Sequence, residues 1–242
     1  MSSEEKERWV AELRRHLVAA KTLRVAANAD PRMSRDRLRL RAWQAGRLAA
    51  TYRDLLDSER YRDAARFFLS DLYGPKDFSE RDHEVERILP TLAATLPASG
   101  IRTIALAVEV DALSEELDAA LIVELRRAGA MDALDAAAYA RAYPRAGHRQ
   151  ERERQLQLIG EAGEALAALT RKPLVSAALR LMRAPARLAG LSELHAFLDH
   201  GYRAFHKMGD PAQFLATIHD RERTILERLY AGAAQPFEAQ DG

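Results

Sequence analysis

Aromatic and acidic residues crowd one short stretch of the chain, Phe67-Phe68-Leu69-Ser70-Asp71-Leu72-Tyr73-Gly74-Pro75-Lys76-Asp77-Phe78-Ser79-Glu80-Arg81-Asp82-His83. Carboxylates and an imidazole gathered round a tight turn are the groups that hold a hard metal ion or move a proton. Asp71, Asp77, Asp82 and His83 are the candidates for such work. Tyr73 and Arg81 complete a candidate ligand-binding set, walled by Phe67 and Phe68. The same residues also have ordinary duties. Asp77 and Ser79 suit a helix N-cap, Asp82 suits a positive first turn, and Phe67, Phe68 and Phe78 suit a core. Capping is the simpler reading, and neither a metal nor a cofactor is predicted.

Elsewhere the chemistry is thinner. Helical bundles build di-metal sites from inward Glu and Glu-x-x-His pairs, and no Glu-x-x-His falls within residues 100–130. Glu193 and His195 are two apart and point to different faces. Arg102, Glu109 and Glu116 form one strip of a helix there, and Asp111, Ser114 and Asp118 another; both read as solvated or ion-paired edges. His16, near Trp9, Leu13 and Ala20, could face a helix relaxed by Gly160 and Gly163, as in bundles that sandwich haem. The glycine pattern of those bundles is not reproduced, so close helix contact explains the glycines. The other histidines are scattered, and the phosphate-loop, dinucleotide, nucleophile-elbow and His-Glu-x-x-His patterns are missing. With no cysteine, a disulfide scaffold, a thiol nucleophile and a Cys-ligated metal are excluded.

The 67–83 stretch resembles the signature of an all-helical bacterial family with the pattern FFL-x-D-L-Y-G-x-x-D-F-x-x-R-D. Phe214-Leu215-Ala216-Thr217-Ile218-His219-Asp220-Arg221-Glu222 is similar to the C-terminal end of the same family. The resemblance spans most of the chain. It implies the fold class and brings no assigned chemistry with it.

The elements that must position these residues are helices. Of 242 residues 48% are hydrophobic, and only 12 glycines and 9 prolines interrupt a chain rich in Ala, Leu, Arg and Glu. Caps and breakers predict about ten helices. The first opens at Ser2 with Glu5 and ends near Asn28-Ala29-Asp30-Pro31. The second is capped by Ser34 and runs to Asp57, with a small-residue seam of Leu38, Ala42, Ala45, Ala49, Tyr52 and Leu56. A third, 59–72, stops at Gly74-Pro75. A fourth reaches Leu96 and should kink at Pro90. The fifth, 99–127, carries two apolar faces, Leu106/Val110/Leu113/Leu117/Leu121 and Ile101/Ile104/Val108/Ile122, and is the expected central buried helix. Asp132 starts the sixth, 148–172 form the seventh, and Pro173 opens an eighth that breaks at Pro185 and Gly190. Ser192 caps the ninth, and Asp210-Pro211-Ala212-Gln213 opens the last, which stops at Gly232. The expectation is an all-α, single-domain, multi-helix bundle over 1–232 with a flexible C-terminal tail over 233–242.

Net charge is +1 but unevenly spread: residues 1–66 carry 16 basic and 10 acidic side chains, and residues 67–135 carry 6 and 14. Packing of a basic helical hairpin on an acidic one accounts for this. A nucleic-acid surface built on Arg35, Arg37, Arg39, Arg41 and Arg47 is the sharper reading and the weaker one, because no interleaved aromatics or known motif accompany them. No run of 18 apolar residues is present, and the N-terminus is polar, so a cytoplasmic protein is expected. The leading functional expectation is a protein partner or self-association, including a homodimer. A ligand-binding or enzymatic site near 71–83 is the alternative, and nucleic acid comes third.

Overall fold

The computed structural model describes residues 3–72 and 79–238, and every regular element among them is helical. In chain order these are α1 (Ser3–Ala29), α2 (Pro31–Thr51), α3 (Arg53–Asp57), and α4 (Arg62–Phe67) with a π-helical turn over Phe68–Leu72. There follow α5 (Ser79–Thr95), α6 (Ala98–Arg127), α7 (Ala136–Arg145), α8 (Arg149–Thr170), α9 (Pro173–Leu188), α10 (Ser192–Met208) and α11 (Ala212–Tyr230). The expected all-α, single-domain bundle is the one found, and α6 is its axis, with α1 along one side and α8 along another.

The two apolar faces of α6 explain that position. Its N-terminal half meets Leu13 and Leu17 of α1, Val85 and Leu89 of α5, and Leu194 of α10 through Ala105 and Val108. Leu106 and Val110 meet Leu158 of α8. Its C-terminal half places Leu121, Ile122 and Leu125 against Leu40, Tyr139, Tyr143, Ile225 and Leu229. A separate aromatic cluster of Phe67, Phe68, Phe205 and Phe214 joins α4, α10 and α11. Each such side chain contributes roughly 1.5–3 kcal/mol when buried.

Charge is buried at the same axis. Glu115, in the middle of α6, accepts from Arg24 Nε (2.9 Å), Arg37 Nη2 (2.7 Å) and Arg41 Nη2. Asp111 accepts from Arg24 and Asp118 lies 3.8 Å from Arg41 Nε. The basic start of the chain thus packs on its acidic middle. This arrangement rephases α2. Its buried side is Asp36, Arg37, Leu40, Arg41 and Leu48, whereas Leu38 and Ala42 of the expected seam face outward. Periodicity alone turns arginines to water; here a buried carboxylate draws them in.

Several boundaries differ from expectation for local reasons. Asp30, not Ser34, caps α2, its carboxylate accepting from Arg32 N at 2.9 Å ahead of Pro31. Asp135, not Asp132, caps α7 by accepting from Ala138 N at 2.7 Å. The second expected helix is two, because Arg221 donates to Thr51 O at 3.0 Å and holds the chain open there. Helix α9 runs through Pro185 to Leu188 before Gly190 adopts φ +66°. Ser192 is not the cap of α10. Glu84 of α5 is, its carboxylate accepting from Leu194 N at 2.7 Å. After α11, Pro236 is buried and the Phe237 ring packs 5.7 Å from Trp43 and 5.9 Å from Tyr139.

Candidate functional site

The acidic residues of the 67–83 stretch fall in different situations. Asp71 ends the π-helical turn, where Ser70 Oγ donates to its carboxylate at 2.6 Å and Nδ1 of His200, on α10, stands 2.8 Å from the same oxygen. His83 is exposed on α5. Arg81 and Asp82 lie in the first turns of α5, and their side chains fall outside the described residues, as do Tyr73 and Asp77 entirely. Phe67 and Phe68 are core residues, and Phe67 meets the His200 ring edge-on at 5.5 Å. Sequence spacing had no means of finding His200, which lies far along the chain. A carboxylate on Nδ1 favours the tautomer whose Nε2 accepts a proton, which is the geometry of an oriented general base. No group of three His, Cys, Asp or Glu residues able to hold a metal is found among the described residues.

The arginines once considered for nucleic acid are largely engaged. Arg37 and Arg41 are buried on Glu115, Arg39 pairs with Asp132, and Arg47 pairs with Glu222. Burial works against the charge on Arg47, but Glu222 outweighs it and holds the guanidinium above its ordinary value. Burial, with Glu222 adding to it, likewise pushes the Tyr52 hydroxyl up.

The largest departure from ordinary burial is on α9. Leu174, Leu181 and Leu188 are 80%, 78% and 90% exposed. They are spaced by seven, so they stack on one helix face with Ala178 and Pro185 between them, all exposed. Met182, also exposed, extends the face. Arg180, Arg183 and Arg187 are exposed on the other side of the helix, lining grooves against α10, and from residue 165 to 192 the chain has five basic and no acidic side chains. The inward side is thin: Ala186 is the buried residue of α9, and Nε2 of His195 meets Leu179 O at 2.8 Å.

A basic helix carrying leucines at heptad spacing on its outer face can dock against an apolar, negatively charged surface. Three exposed leucines offer roughly 4–8 kcal/mol of burial, which is enough to matter against the cost of association only with added electrostatic attraction. The signal was present in the sequence: Leu174, Leu181 and Leu188 at seven-residue spacing, in a stretch without acids.

A family model described as "Domain of unknown function (DUF8198)" matches residues 23–236, which include both stretches that carried the resemblance. No curated protein and no solved structure matches the chain.

Proposed function

We propose that this chain, which belongs to the DUF8198 family, works through protein–protein contact, docking an acidic amphipathic helix of a partner on the outer face of α9. The observation that carries the reading is the row Leu174, Leu181 and Leu188, exposed at heptad spacing on a helix whose charged side chains are all basic. Charge complementarity selects the occupant. Two copies of this chain meeting through the same face would bring together two helices whose charged side chains are all basic.

The test uses a synthetic helical peptide with leucines at heptad spacing and glutamates beside them, followed by fluorescence anisotropy. Micromolar binding is expected, weakening as salt rises, and abolished by Leu174→Ser with Leu181→Ser and Leu188→Ser. These residues are exposed, so the variant keeps its thermal midpoint. Equal binding of a lysine-flanked peptide refutes the reading. So does capture by vesicles of phosphatidylcholine and phosphatidylserine in place of the peptide, or a dimer that the triple variant dissolves.

The pairing of Asp71 with His200 supports a second reading, a small-ligand or catalytic site at the 71–83 turn. The imidazole opens on a groove of about 380 Å3 that also carries Arg183, Arg187, His195 and Arg203. Binding of inorganic phosphate, lost in both Asp71→Asn and His200→Gln, is the result this reading requires.

A further inference from the structure

The core between α2, α6, α7, α8 and α11 is not filled. A cavity of about 110 Å3 remains, and Arg47, Ser114, Asp118, Tyr143, Arg152 and Gln155 furnish its polar wall. Most of these groups are already paired. Glu222 is taken by Arg47 and by Tyr52 Oη at 2.8 Å. Asp118 accepts from Gln44 Nε2 at 3.0 Å and faces Arg41. Gln155 Nε2 donates to Ser114 Oγ at 2.7 Å, and Ser114 in turn donates to Val110 O.

Arg152 is the exception. It is only 5% exposed, and its guanidinium stacks 4.4 Å from the centre of the Tyr143 ring. One Nη2–H reaches Leu117 O at 3.1 Å, and the buried Nε–H has no partner. Among the described residues no carboxylate forms an ion pair with it. The Nε–H of Arg47, on the same cavity, is also buried without a partner. Asp118, on the same wall, meets the Arg152 charge only at longer range, and a buried guanidinium with no carboxylate in contact is disfavoured, as is an unmet buried donor.

What is unmet specifies what would fit. The unmet groups are donors, so the ligand supplies acceptors. Asp118 and Glu222 share the wall but are engaged by Gln44, Arg41, Arg47 and Tyr52, so the charge left without a contact partner is the positive one on Arg152, and the ligand is an anion. The rest of the wall is Leu156, Ile159, Phe214, Leu226 and similar side chains, so the ligand's body is hydrocarbon. A 110 Å3 space is below the roughly 150 Å3 of an engineered cavity that admits benzene, which keeps that body small. We infer that the bundle binds a small monocarboxylate with a compact apolar body in this cavity, its carboxylate on Arg152. Phe237, on the segment after α11, also lines the cavity.

The experiment is thermal unfolding of the full chain against acetate, propionate and isobutyrate, with isobutanol as the neutral analogue of isobutyrate. A saturable rise in midpoint is expected for at least one carboxylate, reaching roughly 3–5 °C at ten times its Kd, and none for the alcohol. Arg152→Met should remove the response. Gln155→Glu, one turn from Arg152 on the same wall, should raise the midpoint without ligand and also remove the response, because it builds the missing carboxylate into the protein. If Arg152→Met does not fold, the Gln155→Glu pair of results decides. A cavity that holds water only gives no saturable shift with any carboxylate, and that overturns the inference. An equal shift with isobutanol overturns it too, as does a response that survives in Gln155→Glu.

Discussion

Glu115 is where the fold is most exposed to a single change. Its carboxylate is 3% exposed and is shared by the guanidiniums of Arg24, Arg37 and Arg41, which reach it from two helices. In Glu115→Gln the shape is kept while the charge and one acceptor are removed. Three buried cations are then left with two carboxylates, Asp111 and Asp118. Removing one partner of a buried ion pair costs about 3–5 kcal/mol, mainly because the remaining charge stays out of water. For a chain of this size each kcal/mol moves the midpoint by about 2–4 °C, so the variant should unfold roughly 6–20 °C lower. Urea unfolding followed by circular dichroism measures the free energy directly. Asp132→Asn is the control, since Asp132 is 90% exposed in its pair with Arg39 and should change stability by less than about 0.5 kcal/mol. If Glu115→Gln were as mild as the control, the cluster would have to be hydrated, and the argument that it positions α1 and α2 on α6 would fail.

Other perturbations follow from the same packing. Gly46→Ala, on an open face of α2 with nothing within 4 Å of the added carbon, should stabilise by up to about 1 kcal/mol. Gly201→Ala should cost about 1–3 kcal/mol, because its Cβ would stand 2.8 Å from Phe67 Cζ in the aromatic cluster; urea midpoints compare the two. Glu84→Ala removes the carboxylate that caps α10 and should cost about 1–2 kcal/mol, with hydrogen exchange rising first at Glu193 and Leu194. Burial lowers the pKa of His16 against the pull of Glu109, so the unfolded chain binds more protons near and below pH 6.5. Its contribution is therefore complete above that pH and declines as pH falls toward the folded value. His16→Gln should flatten the urea midpoint between pH 7 and 5. The acid loss from Asp54 and Asp63, whose pKa values hydrogen bonds from Arg221 and Lys207 hold down, begins only near pH 4.

How much of this was legible depends on how far each cause lies along the chain. Lys172-Pro173 marks the start of α9 where it was expected, whereas α2 opens at Pro31 on an Asp30 cap, four residues before the expected cap at Ser34. The faces of α6 were readable because its apolar residues outnumber its charges. Two features were not readable, and both depend on distant partners. The break at Tyr52 needs Arg221, and the cap of α10 needs Glu84, more than a hundred residues earlier. The strip Asp111, Ser114 and Asp118, expected as a solvated or ion-paired edge, is ion-paired, and what the strip itself did not reveal is its set of partners: Arg24, Arg41, Gln44 and Gln155 complete it into a largely buried polar layer. In the 67–83 stretch, spacing singled out Asp71, while its partner His200 is supplied by the fold.

The outward leucines of α9 raise a physical question, since an amphipathic helix left to itself turns such a face inward. The answer lies in α5, which grips both sides of the turn between α9 and α10. Arg87 donates to Ala189 O at 3.0 Å and to Gly190 O, placing a cation on the carbonyl end of α9. One turn earlier, Glu84 places an anion on the amide end of α10. Each charge complements the helix dipole it meets, and the αL conformation of Gly190 lets Leu191 N return to Ala186 O at 2.8 Å. With the turn held by Arg87 and His195 reaching Leu179 O, rotation of α9 about its own axis would break the bonds of both. The leucine row is thus fixed outward by polar contacts at its C-terminal end, which is the arrangement a docking helix requires and a misplaced core helix would lack.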